Sequence, residues 1–284
     1  MDRGEDRNLD PRVVDGFGDE WSRFSNRFLD ADELEEMFDL YTAIFPWGDL
    51  PDNAVGFDAG CGSGRWARFF APRVGLLWCI DASDEALEVA RQTLADYDNV
   101  AFRHEDLSSI GLQEASCDFG YSLGVLHHIP DTEHAAWSCV RLLKPGAPFL
   151  VYLYHDLSDR AVIQRILLKA VGFVRQFVAR LPRPLRALVA DLLAVIVYWP
   201  LARFARGLDR VGIRSSWVPL FQYRNRSFYV MRNDALDRFG TLLEKRYSRN
   251  EVIALMEGIG LEQVMVADGP PWWVAVGRRR TDDE

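Results

Sequence analysis

VGFDAGCGSGRWARFF, residues 55–70, runs from a short apolar segment into an aspartate, through three alternate glycines, and into the opening of a helix. A Gly60-x-Gly62-x-Gly64 loop after a strand lets the backbone approach a ligand closely, because glycine lacks Cβ and tolerates positive φ. A dinucleotide-type loop would carry a further glycine where Arg65 stands, with the pyrophosphate on the helix N-terminus. Arg65 breaks that frame, and Asp58 is badly placed beside a diphosphate. A carboxylate there suits a cationic ligand. The structural alternative is a strand–turn–helix junction whose glycines serve packing.

Working outward, strands alternate with helical patterns. AVGFD (54–58) leads to a helix near 64–71, and LLWCID (76–81) to a helix near 84–97 with Ser83 as N-cap. VAFRH (100–104), CDFGYSL (117–123), a helix near 132–143 and PFLVYLY (148–154) follow. A helix at 249–259 precedes EQVMVA (262–267) and WWVAVG (272–277). This alternation predicts an α/β fold, a parallel sheet with helices on both faces. Ligands in such sheets sit outside the carboxyl ends of the strands, at the switch point. Asp81, ending the second strand, is then placed to accept from both hydroxyls of a ribose, and Asp106, after the third, from an adenine amino group.

With FDAGCGSG, Asp81, EDL (105–107), YSLGVLHHIPD (121–131) and LLKPGAPFLV (142–151) in this order, the chain resembles class I S-adenosylmethionine-dependent methyltransferases. It most resembles the group containing the ubiquinone and menaquinone methyltransferases. The resemblance covers about residues 50–155 and the last two strands. It implies a Rossmann-like sheet of seven strands, mostly parallel with the last antiparallel, and S-adenosylmethionine as cofactor. By that analogy Ala59 and the Gly60, Gly62 and Gly64 loop wrap the methionine part, with Asp58 close to its amino group. Asp81 with Ala82 holds the ribose, Asp106 with Leu107 frames the adenine, and Ser122 and Leu123 line the floor near the sulfonium.

Methyl transfer is an in-line displacement, so the protein contributes mainly proximity and alignment. A base is needed only where the acceptor loses a proton. His127 and His128 stand beyond the fourth strand, and histidine titrates near neutrality. Either is a candidate base, or the pair shapes the loop. His155 is a third candidate. Tyr154 is a candidate acceptor contact, but Tyr154 and His155 face opposite sides of a regular strand, so both cannot point inward. Histidine bases favour an O-methylation, and no metal site is expected. The segment holding Phe17, Trp21, Phe24 and Phe28 is expected either to close over the cofactor, with Trp21 touching it, or to pack as core; residues 1–20 otherwise read as polar and loose.

The chain has 284 residues, 49% of them hydrophobic, and a net charge of −9. That balance does not suit nucleic acid as a partner. The charged start lacks an apolar h-region, so no signal peptide is expected. Four cysteines without a CxxC pair read as reduced thiols of a cytoplasmic protein. No stretch reads as the about 18 apolar residues of a membrane span.

Residues 156–235 interrupt the sheet pattern. Between 160 and 214 lie eleven basic and two acidic residues, a net of +9, leaving −18 for the remainder. LPRP (181–184) separates two helices, and Pro200 closes an apolar run over 192–202. The predicted organisation is an N-terminal lid segment (1–48), a cofactor-binding domain (49–155 and 236–284) and a helical insertion (156–235). The insertion carries Tyr223, Arg224, Arg226 and Tyr229, which could pair and stack an anionic acceptor. The basic helices either pack against a second copy or their own chain, or lie on an anionic membrane surface. Nucleic acid is a weaker third reading. The expected activity is methyl transfer to a small-molecule acceptor. The competing readings are a cofactor-binding protein without turnover and, more weakly, a nicotinamide-dependent dehydrogenase.

Overall fold

The short apolar runs become parallel strands. In the computed structural model, which describes residues 8–23, 31–156, 162–267 and 272–281, these strands are β1 (Val55–Ala59), β2 (Leu76–Asp81), β3 (Val100–His104), β4 (Phe119–Leu123) and β5 (Pro148–Tyr154). β6 (Leu261–Val266) and β7 (Trp272–Arg279) complete a seven-stranded sheet of order β3-β2-β1-β4-β5-β7-β6. β7 runs antiparallel to both neighbours and the other pairings are parallel. The expected Rossmann-like sheet is therefore present. Its strand order reverses between β1 and β4, which puts the ligand crevice at the carboxyl ends of those two strands.

The register explains two glycines that lie inside strands. Gly56 pairs with Phe119, and Phe57 with Gly120. A Cβ on either glycine would fall 2.1 Å from the opposite ring. Each ring therefore lies across the facing backbone, and both phenylalanines are fully buried.

The helices begin where side-chain acceptors meet free backbone amides. Ser83 Oγ accepts from Ala86 N to start α4 (Asp84–Thr93), and Asp131 from His134 N to start α5 (Thr132–Val140). Ser248 and Glu251 form a capping box at α10 (Arg249–Gly258). Residues 11–20 are not loose: α1 spans Pro11–Arg23 and α2 Ala31–Thr42, with the short α3 at Ala67–Phe70. Phe24 and Phe28 lie outside the described residues, as do the side chains of Arg160 and Arg165.

The chain divides into two compact units, 1–25 with 35–156 and 243–284, and 26–34 with 157–242. The sheet belongs to the first. The second is helical: α6 (Val162–Val178), α7 (Arg183–Leu193), α8 (Trp199–Arg210) and α9 (Phe228–Gly240). One expectation fails here, that no stretch is long and apolar enough to span a membrane. Pro200, read as closing the apolar run, lies inside a continuous helix. A π-helical turn over Ala194–Tyr198 joins α7 to α8, widening the backbone where proline cannot donate a hydrogen bond. The joined helix, Arg183–Arg210, is long and apolar enough to cross a membrane, with a mean hydropathy of 1.8 over its best window. The charges at its two ends hid that length in the sequence.

Candidate active site

Three positive φ values, 81°, 53° and 74°, at Gly60, Gly62 and Gly64 turn the chain out of β1. Gly60 N and Cys61 N both donate to Ile80 O, at 2.8 and 3.0 Å, so the loop is pinned to β2. A Cβ on Gly62 would stand 2.8 Å from Trp21 Nε1, and one on Gly60 2.4 Å from Val125. The loop is thus a bare-backbone cradle with α1 lying against it. Arg65 sits 5.0 Å from the Trp21 ring and 4.5 Å from Trp66.

Asp58 is buried, and its Oδ2 has no hydrogen-bond partner. Burial pushes its carboxyl well above the usual carboxylate range; the nearby Tyr121 hydroxyl moderates this and the Asp81 charge adds to it. A buried acceptor of this kind is costly unless a donor or cation meets it. It fits the amino group of a bound methionine moiety. Asp81 Oδ2 accepts from Gly62 N at 2.8 Å and Oδ1 from Ser83 N at 2.9 Å. Burial raises its pKa, against the pull of those amides. Asp106 Oδ1 accepts from Ser108 N at 2.8 Å, next to the buried Leu107. Ser122 Oγ donates to Ala59 O at 2.8 Å and ties the end of β4 to that of β1. Leu123 is buried at the same end, and Ala82 follows β2 directly, its carbonyl 2.9 Å from His104 Nε2. The residues expected to hold the cofactor thus gather at the carboxyl ends of β1, β2 and β4 and just after β3.

His127 and His128 follow β4 in a single tight turn and are both buried. His128 Nδ1 lies 2.7 Å from Leu243 O. A carbonyl only accepts, so Nδ1 carries the proton and Nε2 bears the lone pair. Phe17 of α1 meets the His128 ring edge-on at 5.0 Å. Both ring nitrogens of His127 are buried without a partner. Burial, then the neighbouring His128 ring and the Arg246 charge, hold its pKa well below the usual histidine value.

The choice on β5 is resolved. Tyr154 lies 4.0 Å from His127 and 5.6 Å from His128, ring to ring, with Tyr152 on the same face. His155 points the other way. It is buried against Trp273, 4.5 Å away, on the side of the core, so it does not join the other histidines. Tyr41 and Trp272 are residues that sequence reasoning missed. Tyr41 meets Trp66, Tyr152 and Trp272 at 5.1, 5.1 and 5.4 Å. Alternation puts Tyr152 and Tyr154 on one face of β5, but the pairing that brings Trp272 opposite Tyr154 is seen only in the sheet.

The residues read as acceptor contacts in the insertion belong to the helical unit. Tyr223 is buried 5.6 Å from Tyr198. Arg224 pairs with Asp209 at 2.5 Å, and Arg226 Nη1 donates to Glu33 O at 3.4 Å. Tyr229 lies in the first turn of α9 and is partly buried. Arg224 and Arg226 are therefore engaged within that unit.

A family model described as a methyltransferase domain matches residues 57–151. Over 91 residues the chain is 36% identical to the ubiquinone biosynthesis O-methyltransferase of Alkalilimnicola ehrlichii, covering 31% of this chain and 37% of that protein. It is 26% identical over 135 residues to the 2-methyl-6-phytyl-1,4-hydroquinone methyltransferase of Synechocystis, covering 46% and 42%. The chain thus spans less than half the length of these two relatives. A solved candidate methyltransferase from Bacillus halodurans shares the fold, with a TM-score of 0.53 at 11% identity over 87% of this chain and all of that one. Residues 57–151 therefore form a methyltransferase domain of the class I, Rossmann-like kind, and the glycine cradle with Asp58, Asp81 and Asp106, the groups suited to S-adenosylmethionine, lies within it.

Proposed function

We propose that the chain methylates a hydroxyl group on a small, ring-bearing acceptor, with His128 as general base. The observation that carries this reading is the Nδ1–Leu243 carbonyl contact. It fixes the tautomer and offers a partner to the positive charge that the ring acquires on protonation. The aromatic wall of Tyr41, Tyr152, Tyr154 and Trp272 supports a flat, largely apolar acceptor. Both named relatives carry names tied to quinone or hydroquinone rings, which supports the same acceptor class.

When bound, S-adenosylmethionine supplies a methyl carbon activated by the sulfonium, and the acceptor oxygen displaces the thioether in line. The protein's own residues do the rest. The Gly60–Gly64 backbone and the Asp58 carboxylate hold the methionine part. Asp81 and Asp106 fix the ribose and adenine, and Ser122 holds the floor of the crevice to β1. The acceptor's O–H proton passes to His128 Nε2. His127, whose pKa burial holds low, is poorly suited to hold that proton. It packs between His128 and Tyr154 and keeps both rings in place.

The test is single-turnover transfer of a labelled methyl group to a panel of catechols and hydroquinones. Label should appear on oxygen. His128→Ala should slow the step by about 100-fold or more, with unchanged cofactor affinity. Tight cofactor binding with no transfer to any oxygen acceptor would overturn the reading and favour a binding protein without turnover. An unaltered rate in His128→Ala would retire the histidine.

A further inference from the structure

The helix Arg183–Arg210 has two unlike faces. Arg186, Ala190, Ala194, Tyr198, Ala202 and Ala205 form a buried stripe at near four-residue spacing, and α7 packs on α9. Polar ties run along this packed side. Asp191 holds Arg232 through two bonds of 2.7 and 2.8 Å, Tyr198 donates to Asp234 at 2.7 Å, and Arg186 reaches Gly240 O. The other face carries Leu185, Leu188, Leu192, Val195, Ile196 and Trp199, all exposed, with Ile196 at 67%. At 100° per residue these six fall within an arc of about 100°, the width of a stripe that seeks an apolar surface. Within the same unit α6 exposes Phe173 and Phe177, whose rings meet at 5.0 Å, and Trp217 meets Phe204 at 6.3 Å.

Exposed cations accompany the stripe at both ends: Arg180 and Arg183 at one, Arg210 and Arg214 at the other. The two acidic residues of the segment are already paired within the unit, Asp191 with Arg232 and Asp209 with Arg224. Arg180 at one end of the stripe and Arg210 and Arg214 at the other are thus presented outward.

We propose that this face docks the helical unit on the surface of an anionic lipid bilayer, with the apolar stripe at the acyl boundary and the arginines at the headgroups. Basic helices with aromatic and aliphatic residues on one face bind such interfaces through apolar area and charge together. The same helix does not cross the bilayer. Its other face is tied to α9 by an ion pair and hydrogen bonds that a lipid-surrounded helix would have to break in hydrocarbon. A second copy is a poorer occupant, because a two-fold contact would set one +9 segment against another. The proposal does not depend on the acceptor or on His128.

The test is vesicle flotation of the full chain, with phosphatidylglycerol–phosphatidylcholine vesicles compared with phosphatidylcholine alone. The chain should partition at least tenfold more strongly onto the anionic vesicles, and salt should weaken the binding. Ile196→Glu with Trp199→Glu should abolish it. Arg210→Glu with Arg214→Glu should weaken it and flatten its salt dependence. Cofactor titration on each variant shows that the fold is intact, since none of these residues belongs to the cradle. Absence of flotation with either vesicle, or flotation indifferent to Ile196→Glu and Trp199→Glu, would overturn the proposal. A concentration-dependent dimer that Ile196→Glu dissolves, without vesicle binding, would give the face to a second copy instead.

Discussion

Among the described residues, the sheet unit leaves three large apolar side chains exposed, Leu40, Trp137 and Met265. The helical unit, though smaller, leaves fifteen, thirteen of them from Phe173 to Ile213. The first unit packs its apolar residues into its own core and aims carboxylates into a crevice. The second turns apolar residues outward and carries a net positive charge. Exposed apolar area on this scale marks a surface made to meet another. In this chain, chemistry and contact are therefore assigned to different units.

The largest expected effect sets the two units against each other. Phe57→Ala removes a ring that covers Gly120 and should cost about 3–5 kcal/mol in urea unfolding. Ile196→Ala, without lipid, should change stability by no more than about 0.5 kcal/mol. A large loss in Ile196→Ala would mean that the stripe is core, and the contrast would collapse. Next comes Asp81→Ala, which removes ribose contacts and the acceptor of Gly62 N and Ser83 N. Calorimetry should show cofactor affinity weakened by about 1.5–3 kcal/mol. Unchanged affinity would move the ribose elsewhere.

Asp58 offers a pH-dependent test. Burial raises its folded pKa above the unfolded value. The folded state then binds this proton more tightly, so stability falls as pH rises through the interval between the two values, and the full penalty stands above both. Asp58→Asn should therefore melt higher than the native chain at pH 8, and the gap should close as pH falls into the ordinary carboxylate range. The same variant should bind the cofactor more weakly. A native chain no less stable than the variant at pH 8 would mean that the carboxylate is already compensated. The smallest effect belongs to the helical unit: Arg232→Ala breaks a half-exposed pair with Asp191 and should cost only about 0.2–1 kcal/mol, less in high salt.

The sheet was legible because its signals are local. Apolar runs ending in Asp58, Asp81 and Ser122 set strand, switch point and crevice together. The facing of Tyr154 and His155 was not legible, since alternation says that they differ but not which one faces the ligand; packing of His155 on Trp273 decides it. Tyr41 and Trp272 join the site only through tertiary contacts with Tyr152, and no spacing in the sequence links residues 41, 152 and 272. The helical unit was read least well. Pro200 is a strong stop signal locally, and the π-helical turn that carries the helix past it depends on backbone geometry that side-chain pattern does not encode. The apolar run was therefore read as closing near Pro200 and too short to span.

The most direct measurement is calorimetric titration with S-adenosylmethionine, with NAD in parallel, on the native chain and on Asp58→Asn. The buried, unpartnered Asp58 oxygen and the Gly60–Gly64 cradle predict micromolar binding of S-adenosylmethionine, none of NAD, and about 10-fold or greater weakening in the variant. Binding of NAD, or equal affinity in Asp58→Asn, would contradict the assignment of the cradle to a cationic cofactor.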